Sequence, residues 1–89
     1  MQRKQCLFSG RVQGVGFRYT VKNIALRYDV GGYVKNLPDG RVELVMEGPE
    51  DQMEHLLDDV EERMKSYIQQ VDQKVLPATG EFPHFSIRH

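Results

Sequence analysis

The hydrophobic pattern changes period several times along the 89 residues, and each change marks an element. Residues 5–10, Gln-Cys-Leu-Phe-Ser-Gly, are a short run that closes on glycine and predict a first strand. From Phe17 to Tyr28 the apolar positions Val21, Ile24, Ala25 and Tyr28 fall at i, i+3, i+4 and i+7, the stripe of an amphipathic helix. Gly31 and Gly32 stand where that helix should end, glycine being common just past a helix C-terminus. Residues 32–37 predict a second strand and Pro38-Asp39-Gly40 a turn. Over residues 41–48, Val42, Leu44 and Met46 alternate with Glu43, Val45 and Glu47, the period of a strand with one face buried. A Pro-Asp-Gly turn between two such runs predicts a hairpin.

Pro49 suits a first helical position, and Glu50, Asp51 and Glu54 suit the positive end of a helix dipole. Met53, Leu56, Leu57, Val60, Met64, Tyr67 and Ile68 keep helical spacing for about four turns. Residues 70–76 and 84–88 are weaker strand candidates, separated by a loop over 77–83. The order is therefore β-α-β-β-α-β, with a split or edge strand near 70–76. Two striped helices bury themselves most economically on one face of an antiparallel sheet. The expected fold is an α+β, ferredoxin-like (split β-α-β) sandwich in a single domain over 1–89. Such a fold assigns no activity by itself.

Composition narrows the class. With 39% hydrophobic and 28% charged residues, the chain is ordinary for a folded domain. No apolar run approaches the ~18 residues of a membrane helix, so no membrane partner is expected. The basic start, Met-Gln-Arg-Lys-Gln-Cys, is not followed by the apolar segment of a signal peptide, and the expected location is cytoplasmic. A lone Cys6 excludes an internal disulfide and a cysteine-rich zinc site. The net charge of −1 conceals an asymmetry. Residues 1–45 carry eight Lys/Arg against three Asp/Glu, and residues 46–89 carry four against ten. Seven of those ten acids fall within 50–62, as one solvated helix face would place them, which leaves the basic half to suggest an anionic ligand.

The candidate chemistry lies in Gly10-Arg11-Val12-Gln13-Gly14-Val15-Gly16-Phe17-Arg18. Three glycines between a strand and a helix let consecutive N–H groups turn inward, and such a nest at a helix N-terminus binds phosphate. Arg18 begins that helix, where its planar fork can close the nest. No Gly-Lys-Ser/Thr follows, and the glycines at 10, 14 and 16 do not have dinucleotide-binding spacing. On these grounds alone the segment is either a phosphate cradle or a plain tight turn.

Two motifs carry a resemblance. Gly10-x-Val12-Gln13-Gly14-Val15-x-Phe17-Arg18 resembles the first signature of the acylphosphatase family. Gly32-Tyr33-Val34-Lys35-Asn36-x-x-x-Gly40-x-Val42, with Gly48 beyond it, resembles the second. Phe8 departs from the family, which more often has an aliphatic residue there, so core packing at that point must differ. The resemblance implies hydrolysis of a small-molecule acyl phosphate to carboxylate and inorganic phosphate, with no metal and no cofactor. Phosphate is then both product and inhibitor. It also implies that Arg18 holds the phosphoryl group and that Asn36 orients the attacking water. The backbone of Gln13, Gly14, Val15, Gly16, Phe17 and Arg18 forms the cradle.

Each residue has a plainer alternative. Arg18 could pair with a nearby acid on the surface, and Asn36 could shape the hairpin. His55, His84 and His89 lack a second ligand at suitable spacing, and Cys6 reads as a small buried hydrophobe. RNA-recognition domains share this element order, but the strand at 41–48 has no stacking aromatic, so no nucleic-acid partner is expected. A non-hydrolytic binding domain of the same fold is the other alternative. A monomer is expected. The identity of the acyl group is not written in the sequence.

Overall fold

In a computed structural model describing all 89 residues, the first strand, β1, runs Gln2–Gly10, three residues earlier than the hydrophobic pattern indicates. It is a central strand, antiparallel to β3 (Val42–Gly48) on one side and to β4 (Ile68–Pro77) on the other. Gln2 is therefore paired twice, with Gly48 and with Pro77. Backbone pairing of this kind is indifferent to the polar side chains that hide the strand in the sequence. β2 (Gly31–Asn36) pairs antiparallel with β3, completing the hairpin, and β5 (Phe85–Arg88) pairs parallel with β2. The sheet order is β4-β1-β3-β2-β5. The ferredoxin-like arrangement holds, with one parallel pair at the edge of an otherwise antiparallel sheet.

Helix α1 spans Phe17–Ala25, shorter than the stripe to Tyr28 suggests. The Arg27 and Tyr28 N–H groups donate to the carbonyls of Ile24 and Ala25, three residues back, so the chain tightens into a turn. Tyr28 still packs against the core from that turn, and its hydroxyl donates to Asp59. Gly31 and Gly32 open β2 and do not close the helix. A Cβ on Gly32 would lie 1.9 Å from the Val45 carbonyl oxygen, so close approach of backbone explains that glycine.

Helix α2 spans Glu50–Met64, with Pro49 one position earlier than expected, as N-cap. Tyr67 and Ile68 leave the helix: the Tyr67 N–H donates to the Met64 carbonyl in a turn, and Ile68 begins β4 beside Gly10. β4 is the edge strand expected near 70–76, extended at both ends. Its signal is weak because Gln69, Gln70, Gln73 and Lys74 all face solvent.

Both helices cover one face of the sheet, where 17 buried residues form a single apolar cluster. Val21, Ile24 and Ala25 of α1 and Met53, Leu56, Leu57, Val60 and Met64 of α2 meet Cys6, Phe8, Val34, Val42, Leu44 and Met46 from the strands. Phe8 is fully buried, its ring 5.1 Å from that of Phe17, so an aromatic pair fills the space.

The other face departs from the half-buried expectation, because Val45 and Glu47 of β3 are buried too. The segment 78–83 lies against this side. Phe82 packs on Tyr33, with ring centroids 5.7 Å apart, and under the Arg3 guanidinium. Glu47 accepts hydrogen bonds from the Thr79 and Gly80 N–H groups, the Thr79 hydroxyl and Arg3 Nε. Burial alone would raise its pKa. The Thr79 N–H, the Arg3 guanidinium, the Gly80 N–H and the Thr79 hydroxyl outweigh that, and hold the carboxyl down at about 2.

Candidate active site

Sheet register brings the sequence-predicted residues to one end of the molecule. Phe8 near the end of β1 pairs with Val42, and Val42 pairs with Asn36 at the end of β2. The loop that leaves β1 and the tip of the β2–β3 hairpin therefore meet at the N-terminus of α1.

Gly14 and Gly16 both have φ of +76°, in the left-handed region. A Cβ at either would meet nothing within 4 Å, so these glycines supply conformation and not clearance. Gly16 is the N-cap of α1, and no side chain caps the helix. The Thr20 N–H and hydroxyl both donate to the Gly16 carbonyl. None of the backbone N–H groups from Gln13 to Tyr19 donates to a protein acceptor. A run of free N–H groups at the positive end of a helix can hold a tetrahedral oxyanion.

A cleft of about 130 Å³ opens here, lined by Val12, Gly14, Gly16, Phe17, Arg18, Tyr19 and Asn36. Two of the candidate cradle residues do not line it. Val15 packs its side chain against the core, and Gln13 turns its amide to the hairpin. A larger hollow of about 500 Å³ lies at the opposite end of the sheet, around Ala25, Tyr28, Gly48, Phe82 and Phe85. It contains none of the candidate catalytic or cradle residues.

Arg18 is half-exposed, and no carboxylate lies within ion-pair distance of its guanidinium. The surface-pair alternative for this residue therefore fails. Its Nη1 sits 3.0 Å from His89 Nδ1 and makes a longer contact, 3.4 Å, to the Arg88 carbonyl. These partners lie 70 and 71 residues away, beyond the reach of any local pattern.

The side chain of Asn36 does not build the hairpin. That turn is held by the Leu37 N–H donating to the Arg41 carbonyl, the Gly40 N–H donating to the Leu37 carbonyl, and Asp39 accepting from the Arg41 N–H. Asn36 Oδ1 is buried, and no protein donor reaches it. An unpaired buried acceptor costs about 1–3 kcal/mol, and such costs persist mostly where function requires the group. Cys6, by contrast, is wholly buried, and burial pushes its thiol up to about 12, so it is no nucleophile.

The Acylphosphatase family profile matches residues 4–87. An acylphosphatase of Lactobacillus johnsonii is 40% identical over 81 residues, covering 89% of each chain. One from Methylococcus capsulatus is 38% identical over 88 residues, covering 98% of this chain and 96% of its own. The crystal structure of acylphosphatase from Bacillus subtilis superposes with a TM-score of 0.89 at 32% identity, over the full length of both chains. With family match, full-length relatives and fold in agreement, this chain belongs to the acylphosphatase family of hydrolases.

Proposed function

We propose that the cleft at the N-terminus of α1 hydrolyses small acyl phosphates by positioning and charge stabilisation alone. The observation that carries this is the run of unpartnered N–H groups, Gln13 to Tyr19, of which Gly14, Gly16, Phe17, Arg18 and Tyr19 line one cleft with Asn36, whose Oδ1 has no donor. The cradle of Gln13, Gly14, Val15, Gly16, Phe17 and Arg18 binds the phosphoryl oxygens through backbone N–H groups. Arg18 adds a full positive charge and a two-pronged contact. It is free to do so, because its present partners are an imidazole nitrogen and a carbonyl and include no carboxylate, weak rivals for a charged phosphoryl group.

The leaving group is a carboxylate, whose acid has a pKa of about 4, so it departs without protonation. A general acid is unnecessary, and no histidine or carboxylic acid lines the cleft. What remains is to spread the charge of the transferring group and place water in line with the breaking bond. Asn36 is neutral, accepts through Oδ1 and donates through Nδ2, so it orients water without acting as a strong base. The water proton passes to a phosphate oxygen of the substrate itself.

Arg18 tests this assignment. Arg18→Ala should weaken inhibition by phosphate and remove most turnover of a generic acyl phosphate, a loss of about 2–4 kcal/mol in transition-state stabilisation. Arg18→Lys should restore little, since a point charge does not reproduce the planar fork. Full activity in Arg18→Lys, with unchanged phosphate inhibition, would remove Arg18 from the site.

A further inference from the structure

The side-chain amide of Gln13 lies between the anion loop and the hairpin that carries Asn36. Its Nε2 donates to two carbonyls at once, Leu37 at 2.8 Å and Arg41 at 3.0 Å. Leu37 directly follows Asn36, and Arg41 directly precedes Val42, the residue paired with Asn36. The Leu37 N–H also donates to the Arg41 carbonyl, at 2.8 Å. Both donors of one primary amide are thus spent on the two chains that flank Asn36, from a residue whose own backbone enters Gly14.

That chemistry is selective. A carboxylate at the same place would aim two acceptors at two carbonyls, and a thioether would donate nothing. Asparagine would fall one methylene short. The two loops have no other cross-connection of this kind: the remaining loop hydrogen bonds of residues 11–16 run to Tyr67 or to Thr20. Asn36 itself makes no side-chain bond to the protein, so its position is inherited from its backbone.

We propose that Gln13 is a positioning residue for the hydrolysis, its amide setting the distance between the phosphate loop and the water-orienting Asn36. The proposal rests on the assignment of Asn36 to the water. Gln13 acts on the reaction only through the hairpin, so its effect should appear in kcat and not in anion affinity, and should require Asn36.

The experiment is a double-mutant cycle on the full chain, with Gln13→Met, Asn36→Ala and the pair, measuring kcat, the phosphate inhibition constant and the thermal midpoint. Gln13→Met should lower kcat about tenfold or more, because displacements of about 1 Å in positioning are worth up to about a hundredfold. Its phosphate inhibition constant should stay within about threefold of wild type, since the free N–H groups and Arg18 are untouched. In the Asn36→Ala background the same change should lower kcat by less than about twofold, the non-additive result for two residues acting as one unit. Gln13→Glu, which keeps the length and loses the donors, should repeat the loss of kcat if the Met variant folds poorly. Should Gln13→Met lower kcat equally with and without Asn36, or raise the phosphate constant in step with the loss, the amide is a structural tie and the proposal is overturned. Normal turnover in Asn36→Ala would instead overturn the assignment of the water, a separate and recognisable failure.

Discussion

Asn36→Ala separates a residue that builds the protein from one that serves the reaction, and the structure sets both magnitudes. The wild-type side chain makes no hydrogen bond within the protein and keeps a buried oxygen without a donor. Removing that acceptor recovers about 1–3 kcal/mol of desolvation cost. Against this stands the change of residue at the end of a strand, a term of up to about 1 kcal/mol. The variant should therefore be as stable as wild type or more so. Because 1 kcal/mol moves the midpoint of a domain this size by about 4–8 °C, the shift should run from slightly negative to clearly positive.

Turnover should move the opposite way. Loss of the group that orients the attacking water should lower kcat by about 10²–10³, the range found when one preorganised polar group is removed. Inhibition by phosphate should barely change, because the anion is held by the loop and Arg18. The assay is steady-state hydrolysis of a generic acyl phosphate with phosphate as inhibitor, beside a thermal melt followed by circular dichroism. Retained binding with lost kcat identifies an interaction made chiefly in the transition state. A midpoint lowered by more than about 10 °C would refute the reasoning, because it would show the side chain supporting the hairpin. So would phosphate inhibition lost to the same degree as in Arg18→Ala.

Three further outcomes follow from the same geometry. Glu47 has a pKa held at about 2, below its unfolded value, so its contribution to stability is complete above about pH 4.5 and fades as pH falls towards 2. Denaturant melts across that window should lose on the order of 2–3 kcal/mol, and Glu47→Gln should flatten the dependence; an unchanged pH profile in the variant would show that the Thr79–Gly80 clamp is not its source. Gly14→Val forces a β-branched residue to φ +76° in open space, at about 1–2 kcal/mol, so phosphate affinity measured by inhibition should fall more than stability does. Intact phosphate binding in a folded Gly14→Val would make Gly14 a mere turn residue. Turnover should survive exhaustive chelation, since Arg18 and backbone N–H groups carry the positive charge and no three His, Cys, Asp or Glu side chains converge anywhere in the chain. Activity abolished by chelator and restored by magnesium would contradict the assignment.

The parts of the fold legible in the sequence are those whose cause is local. The stripe from Met53 to Met64 and the alternation Val42, Leu44, Met46 each record burial against one surface, and both elements form there, although the stripe's continuation to Tyr67 and Ile68 falls outside the helix. Pairing is not local, and the errors gather there. The polar start of β1 is a strand because β3 and β4 flank it, and β4 is an exposed edge with no stripe to show. Val45 and Glu47 read as a solvated face, yet both are buried on the side where 78–83 lies. The Glu47 contact to Thr79 spans 32 residues, a distance at which charge and spacing say nothing about who meets whom.

The site divides in the same way. Gly14, Gly16, Arg18 and Asn36 lie within two short motifs, and register then brings them to one cleft. Glycine at φ +76° does not by itself tell an anion cradle from a tight turn, because both need the left-handed conformation. What favours the cradle is where the hydrogen bonds go. In a plain turn the inward N–H groups would find carbonyls, whereas those of Gln13 to Tyr19 find none. The fold spends the neighbouring acceptors elsewhere: the Leu37 and Arg41 carbonyls of the hairpin accept from the Gln13 amide, and the Arg41 carbonyl also accepts from the Leu37 N–H. Sequence names the groups that can bind an anion, but only the tertiary arrangement decides whether the protein uses them up itself.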